Sequence, residues 1–134
     1  MDALYQGQLL ALARAVRGQT PLEQVTHSAS IKNPTCGDEI TISMSLHEGL
    51  IKALHLHVEG CALCEAGAGL LSEISNGASP ADVILKGEHL TSYLKQPSSP
   101  AVDDLFLAFQ PVKQIKNRHK CVLLAFEAFR KATQ

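Results

Sequence analysis

The sequence has almost no excess charge, no long apolar run and few cysteines, and each shortage removes a class of protein. Lys plus Arg number 12 against 13 Asp plus Glu, a formal net charge of -1. That is too little to build the field that draws in nucleic acid or a membrane surface, so neither is expected as a partner. No apolar stretch approaches the roughly 20 residues that a bilayer-crossing helix needs. The four cysteines, Cys36, Cys61, Cys64 and Cys121, are too dispersed for a secreted disulfide scaffold. The opening stretch MDALYQGQLLALARAVRG carries an early Asp and lacks the basic start and small-residue cleavage site of a signal peptide. These features point to the cytoplasm, where cysteines serve metals or redox chemistry more often than disulfides. No repeat, low-complexity segment or linker interrupts the 134 residues, which fit one domain spanning 1–134.

What is present is a readable order of elements. Leu4, Leu9, Leu10, Ala13 and Val16 recur at helical spacing and predict a helix over 3–17, with Gly18 as its stop. Weak alternation predicts a strand over about 23–31. A turn, KNPTCGD, leads into EITISMSL, where Ile40, Ile42, Met44 and Leu46 share one face and Thr41, Ser43 and Ser45 the other. Period-two alternation of this kind is a half-buried strand. HEG at 47–49 predicts a hairpin in which Gly49 supplies positive φ. The chain then returns as a third strand with Leu54, Leu56 and Val58 facing the core. Consecutive strands with short turns make an antiparallel meander.

From Cys61 the pattern turns helical. ALCEAGAGLLSEIS ends at Asn76 and Gly77, and SPADVILKGEHLTSYLKQ starts with Ser79 as N-cap and Pro80 as first helical residue, with Gly87 expected to split it. PSSPAVDDLFLAFQP reads as a short capped helix bounded by prolines. A last helix beginning near Asn117 carries an apolar stripe of Leu124, Phe126, Ala128 and Phe129. The fold class is therefore α+β, a three-stranded antiparallel sheet with helices covering one face.

Three cysteines occupy similar places in this scheme. Cys36 lies in the turn before the second strand, Cys61 where the third strand gives way to a helix, and Cys121 near the start of the last helix. Helix N-termini present free N–H groups and the positive end of the dipole, which favour thiolate over thiol. With Asp38 two residues after Cys36, the set is three thiolates and a carboxylate, suited to tetrahedral Zn²⁺. Four anionic ligands around a divalent ion leave excess negative charge, and Arg118, one turn before Cys121, is placed to relieve it. Against this stands the plainer reading of scattered core cysteines, since free Cys is among the most buried residue types. The paired C-x₂-C knuckles of a zinc ribbon are missing.

NPTCGD, then GC 25 positions after the first cysteine, then RHKC before an apolar helix, together resemble the U-type iron–sulfur cluster assembly family, the IscU/SufU/NifU N-terminal group, over roughly residues 28–130. The resemblance implies that same three-stranded sheet covered by helices. It implies a metal (zinc, or iron in a nascent cluster) held by Cys36, Asp38, Cys61 and Cys121, with the three cysteines as ligands of a transient iron–sulfur cluster. It makes Cys36 the acceptor of sulfur from a cysteine desulfurase and matches Arg118 to an arginine near the site. It also implies iron–sulfur acceptor or assembly proteins as partners, and a scaffold or zinc-dependent sulfurtransferase accessory more than an enzyme in its own right. Lys120, where the IscU branch has a histidine ligand, and the 60 positions between Cys61 and Cys121 lean toward SufU, with GEHLTSYLKQPSSPAVDDL as the inserted stretch. Three departures stand beside this. The family's H-x-x-x-P-x-N stretch is replaced by LLALARAVRGQTP, Cys64 is additional, and Phe126 sits where tryptophan is frequent.

Other residues have blander readings. CALC opening a helix superficially matches a dithiol motif, and a thiol oxidoreductase using Cys61 and Cys64 is the rival from another class. A zinc-stapled binding module without sulfur transfer is a further one. Cys64 reads most simply as a packed thiol one turn beyond Cys61. His55 and His57 read as a solvated strand face, and His27, His47 and His89 as surface residues. His119, two positions before Cys121, is expected to point away from it. Lys113, Lys116, Arg118 and Lys120 form either a solvated loop or a docking surface for an acidic partner.

Overall fold

The computed structural model describes residues 3–34 and 37–134, without the side chains of 3–5. Thr35 and Cys36, and the expected apolar side chain of Leu4, lie outside the described residues. The order is α1 (Ala3–Val16), β1 (His27–Lys32), β2 (Glu39–His47), β3 (Leu50–Glu59), α2 (Ala62–Ser75), α3 (Pro80–Lys95) and α4 (His119–Ala132), with 3₁₀ segments at Asp104–Gln114 and Lys116–Arg118.

The sheet is the antiparallel meander β1-β2-β3. Ile40, Ile42 and Met44 are wholly buried while Thr41 is exposed, as the alternation requires. Leu56 and Ile51 join them on the core face. The opposite face is polar, and on it the Ser30 and Thr41 hydroxyls meet at 3.1 Å across the strands. Glu48 (φ 52°) and Gly49 (φ 80°) turn β2 into β3. Positive φ at both central residues is what a two-residue type I′ hairpin needs.

β1 begins four residues later than the alternation suggested. The segment before it lends side chains to the other strands. The Gln19 carboxamide oxygen accepts the Leu56 N–H at 2.9 Å, and the Thr26 hydroxyl oxygen accepts the Leu46 N–H at 2.9 Å. Backbone groups of β2 and β3 are thus satisfied without a longer β1.

Helix α2 is the centre of the helical layer. Gly67 lies against the Val122 carbonyl of α4 and Gly69 against the Leu12 carbonyl of α1, so closely that a Cβ would stand 2.1 and 1.9 Å from those oxygens. Gly87 does not split α3, because the Phe126 ring lies where its side chain would be, 2.9 Å from a built Cβ. The glycine serves packing, and its intrinsic helix penalty of about 1 kcal/mol is offset. The expected short helix at 97–111 is a 3₁₀ run that continues through Pro111. Phe106, Phe109 and Val112 are its buried anchors, three residues apart. That spacing matches three residues per turn rather than 3.6. α4 starts at His119, two residues past the expected point, after a 3₁₀ turn. Its stripe of Leu124, Phe126, Ala128 and Phe129 is buried. Among the described residues no helix is long and apolar enough to cross a membrane.

Candidate metal centre

The loop after β1 closes on itself. The Asn33 N–H donates to the Asp38 carbonyl at 2.7 Å, and the Gly37 N–H donates to the Asn33 carbonyl at 2.8 Å. Gly37 sits at φ 77°, a conformation costly for any residue with a Cβ. This places Asp38 immediately before β2. Glu39 pairs with Glu59 at the end of β3, so Asp38 lies beside Gly60 and Cys61, the next residues of the neighbouring strand's exit. Cys61 is the N-cap residue of α2, and Cys121 is the third residue of α4.

These elements bring Asp38, Cys61 and Cys121 together, with one donor atom from each within 4.8 Å of the others. The Asp38 Oδ1 also accepts the Cys61 N–H at 3.3 Å. Asp38 is 5% and Cys121 1% exposed, while Cys61 stays partly open to solvent. The carboxylate and the thiols are therefore held largely out of water, an arrangement that invites a cation between them. Zinc binds sulfur at about 2.3 Å and oxygen at about 2.0 Å, which sets tetrahedral ligand atoms roughly 3.5–3.8 Å apart. Donor atoms already within 4.8 Å need to close by only about an ångström to reach that spacing. Soft thiolates with one hard carboxylate fit borderline-soft zinc, and thiolates equally suit iron in a cluster.

The neighbours divide into groups turned inward and groups exposed at the surface. His119 is 6% exposed, and its Nε2 donates to the Val112 carbonyl at 2.9 Å and reaches the Lys113 carbonyl at 3.2 Å. The ring thus ties the start of α4 to the preceding 3₁₀ run. Cys64 is wholly buried and is not part of the three-residue group. Glu65, in the first turn of α2, is taken by a two-bonded pairing with Arg17 at 2.7 and 2.8 Å. Within the basic segment, Lys113 is turned inward. Its Nζ sits 4.0 Å above the Tyr93 ring and donates to the Pro97 carbonyl at 3.2 Å. Lys116, Arg118 and Lys120 are exposed. His57 is exposed and approaches Glu59 at 3.4 Å. Cys36 lies outside the described residues.

Gly60 entered the sequence reading only as the glycine of the GC motif, with no role of its own, yet it touches the group. A Cβ there would fall 2.6 Å from the Asp38 Oδ1. The available signal was a glycine placed directly between a strand's end and a helix's N-cap.

A small antiparallel sheet with thiol and carboxylate donors gathered where strands end and helices begin defines a class: an α+β domain built around one prospective metal centre. The chain belongs to the NifU-like N-terminal domain family, whose model matches residues 4–132. It is 25% identical over 137 residues to the iron–sulfur cluster assembly scaffold protein IscU of Thermotoga maritima, covering 96% of this chain and 92% of that one. It is 23% identical over 133 residues to the zinc-dependent sulfurtransferase SufU of Bacillus subtilis, covering 98% and 90% respectively. Its fold matches the crystal structure of a nitrogen-fixing NifU-like protein (N-terminal) from Brucella abortus with a TM-score of 0.81 at 21% identity, covering 96% of this chain and 91% of that one.

Proposed function

We propose that this protein works in iron–sulfur cluster assembly, holding one metal ion through Asp38, Cys61, Cys121 and Cys36 and accepting sulfur from a cysteine desulfurase. The observation that carries the reading is the convergence of three donors from remote points of the chain within 4.8 Å. Cys36, two residues before Asp38, supplies the fourth ligand. The names of the two curated relatives, one a cluster scaffold and the other a zinc-dependent sulfurtransferase, support the two faces of this function. Lys120 immediately before Cys121 favours the sulfurtransferase face.

Bound zinc would hold the cysteines as thiolates and offset part of their charge. The chain's own residues do the rest. Cys36, which precedes Gly37 in the sequence, is the acceptor. Its thiolate attacks the outer sulfur of the partner's cysteine persulfide. A new S–S bond forms on Cys36 as the partner's S–S bond breaks, and the partner leaves as a thiolate. One thiolate is consumed and one is made, so no external oxidant or reductant takes part. Asp38, Cys61 and Cys121 keep their places while this happens. Arg118, exposed at the N-cap of α4, supplies positive charge near the anions. With Lys116 and Lys120 it offers a docking edge for an acidic partner surface.

The test is metal analysis of the purified protein together with a desulfurase stimulation assay, on wild type and Cys36→Ala. Bound zinc with stimulation that Cys36→Ala abolishes is the expected result. Metal-free protein that stimulates no desulfurase would sink the proposal.

A further inference from the structure

We propose that Gly60 is a positioning residue that sets the Asp38 carboxylate at the metal centre. The inference rests on the metal reading above and adds a residue to it. Three observations carry it. First, Gly60 is not among the glycines at positive φ, which are Gly18, Gly37, Gly49 and Gly77. A positive φ therefore does not explain the glycine. Second, a Cβ at this position would lie 2.6 Å from the Asp38 Oδ1, 2.9 Å from its Cγ and 3.1 Å from its Cβ. The space that glycine leaves open is occupied by the carboxylate itself. Third, that same Oδ1 accepts the N–H of the next residue, Cys61, at 3.3 Å. Gly60 and the Cys61 amide thus form a slot, open on one side and hydrogen-bonding on the other, which fixes the direction of the buried carboxylate.

The contrast with Gly67 and Gly69 sharpens the point. A Cβ at either of those would strike a backbone carbonyl of another helix, which cannot turn aside. At Gly60 it would strike the Asp38 Oδ1 and Cγ, which rotation about χ1 can move, while the Asp38 Cβ at 3.1 Å has to give by a few tenths of an ångström. Gly60→Ala should therefore leave the fold in place and swing Asp38 out of position. Outer partners that orient a metal ligand typically contribute about 10- to 100-fold in affinity.

The experiment measures Zn²⁺ affinity by chelator competition, and hydrogen exchange of the Cys61 amide in the metal-free state, for wild type, Gly60→Ala, Asp38→Ala and the double variant. Gly60→Ala is expected to weaken zinc binding about 10- to 100-fold. In the Asp38→Ala background the same change should alter affinity by a factor near one, because the group it displaces is gone. Cys61 amide exchange should quicken in both single variants and no further in the double. An unchanged affinity or unchanged Cys61 exchange in Gly60→Ala overturns the proposal, and so does an equal loss in the Asp38→Ala background. Should wild type take up no zinc, the metal reading fails while the exchange measurement still decides the role of Gly60. Should Gly60→Ala not fold, recovery of the fold in the double variant supports the proposal and its absence overturns it.

Discussion

Helices α2 and α3 begin differently. α3 is started by its own neighbours: the Ser79 hydroxyl accepts the Asp82 N–H at 3.2 Å and Pro80 occupies the first turn. α2 has Cys61 at the N-cap and no side-chain cap bond of that local kind. The acceptor it receives comes from Asp38, 23 residues upstream. α4 likewise begins without a side-chain cap bond at Arg118. Locally capped helix starts occur where the chain only has to fold, and the two helix starts at the candidate centre forgo that device. A cap spends a helix's free N–H groups on a nearby side chain, whereas an N-terminus without one keeps its partial positive charge for anions. The difference teaches where local rules are relaxed and what the relaxation leaves available, in this case positive ends of two helices around thiols and a carboxylate.

The comparison can be broken most forcefully at α4. Cys121→Ser replaces a buried soft donor at the centre by a hydroxyl. Zinc affinity should fall by more than the roughly 100-fold that bounds outer-shell changes. Metal content after dialysis against a mild chelator checks this, and retention of zinc would remove Cys121 from the ligand set. Next comes the join between the two helices of the site. Gly67→Ala forces a Cβ to 2.1 Å from the Val122 carbonyl, next to Cys121. Backbone opposes it on both sides, so overpacking of about 1–3 kcal/mol or more is expected in urea unfolding. Zinc affinity should fall with it, since α4 must shift.

At α3 the expectation is the opposite in kind. Ser79→Ala should cost about 1 kcal/mol of stability and leave zinc affinity untouched. A change in zinc binding there would erase the distinction between the two sorts of helix start. The smallest effect is expected at Asp103, which caps the 3₁₀ run through the Leu105 N–H and pairs with Lys86 at 2.6 Å. Burial raises its carboxyl, but the Lys86 hydrogen bond, the Leu105 N–H and the Lys86 charge together hold it below the ordinary aspartate value. A carboxyl lowered in the folded state contributes stability above its unfolded pKa and loses it as pH falls through the folded value. The stability gap between wild type and Asp103→Asn should therefore be present at neutral pH and close as pH drops below about 4, the ordinary aspartate value.

Much of the fold was legible because it rests on periodicity. Ile40, Ile42 and Met44 alternate cleanly and are wholly buried, and Gly49 marks the hairpin. Ser79 and Pro80 announce α3 for the same local reasons that hold it. What went astray depends on partners distant in sequence. Gly87 looks like a helix breaker until Phe126 is seen filling its place. The start of β1 depends on Gln19 and Thr26 reaching the other strands. The 3₁₀ run through Pro111 was hidden because a spacing of three and a spacing of 3.6 differ little over two turns. At the candidate centre, Asp38, Cys61 and Cys121 stood out as residue types placed at element boundaries. The role of Gly60 did not, since a missing Cβ has meaning only beside the atom that occupies its space.

The most direct measurement is X-ray absorption at the zinc edge of the metal-loaded protein. The account predicts a first shell dominated by sulfur at about 2.3 Å with one oxygen near 2.0 Å. A shell of oxygen and nitrogen scatterers with at most one sulfur would contradict it.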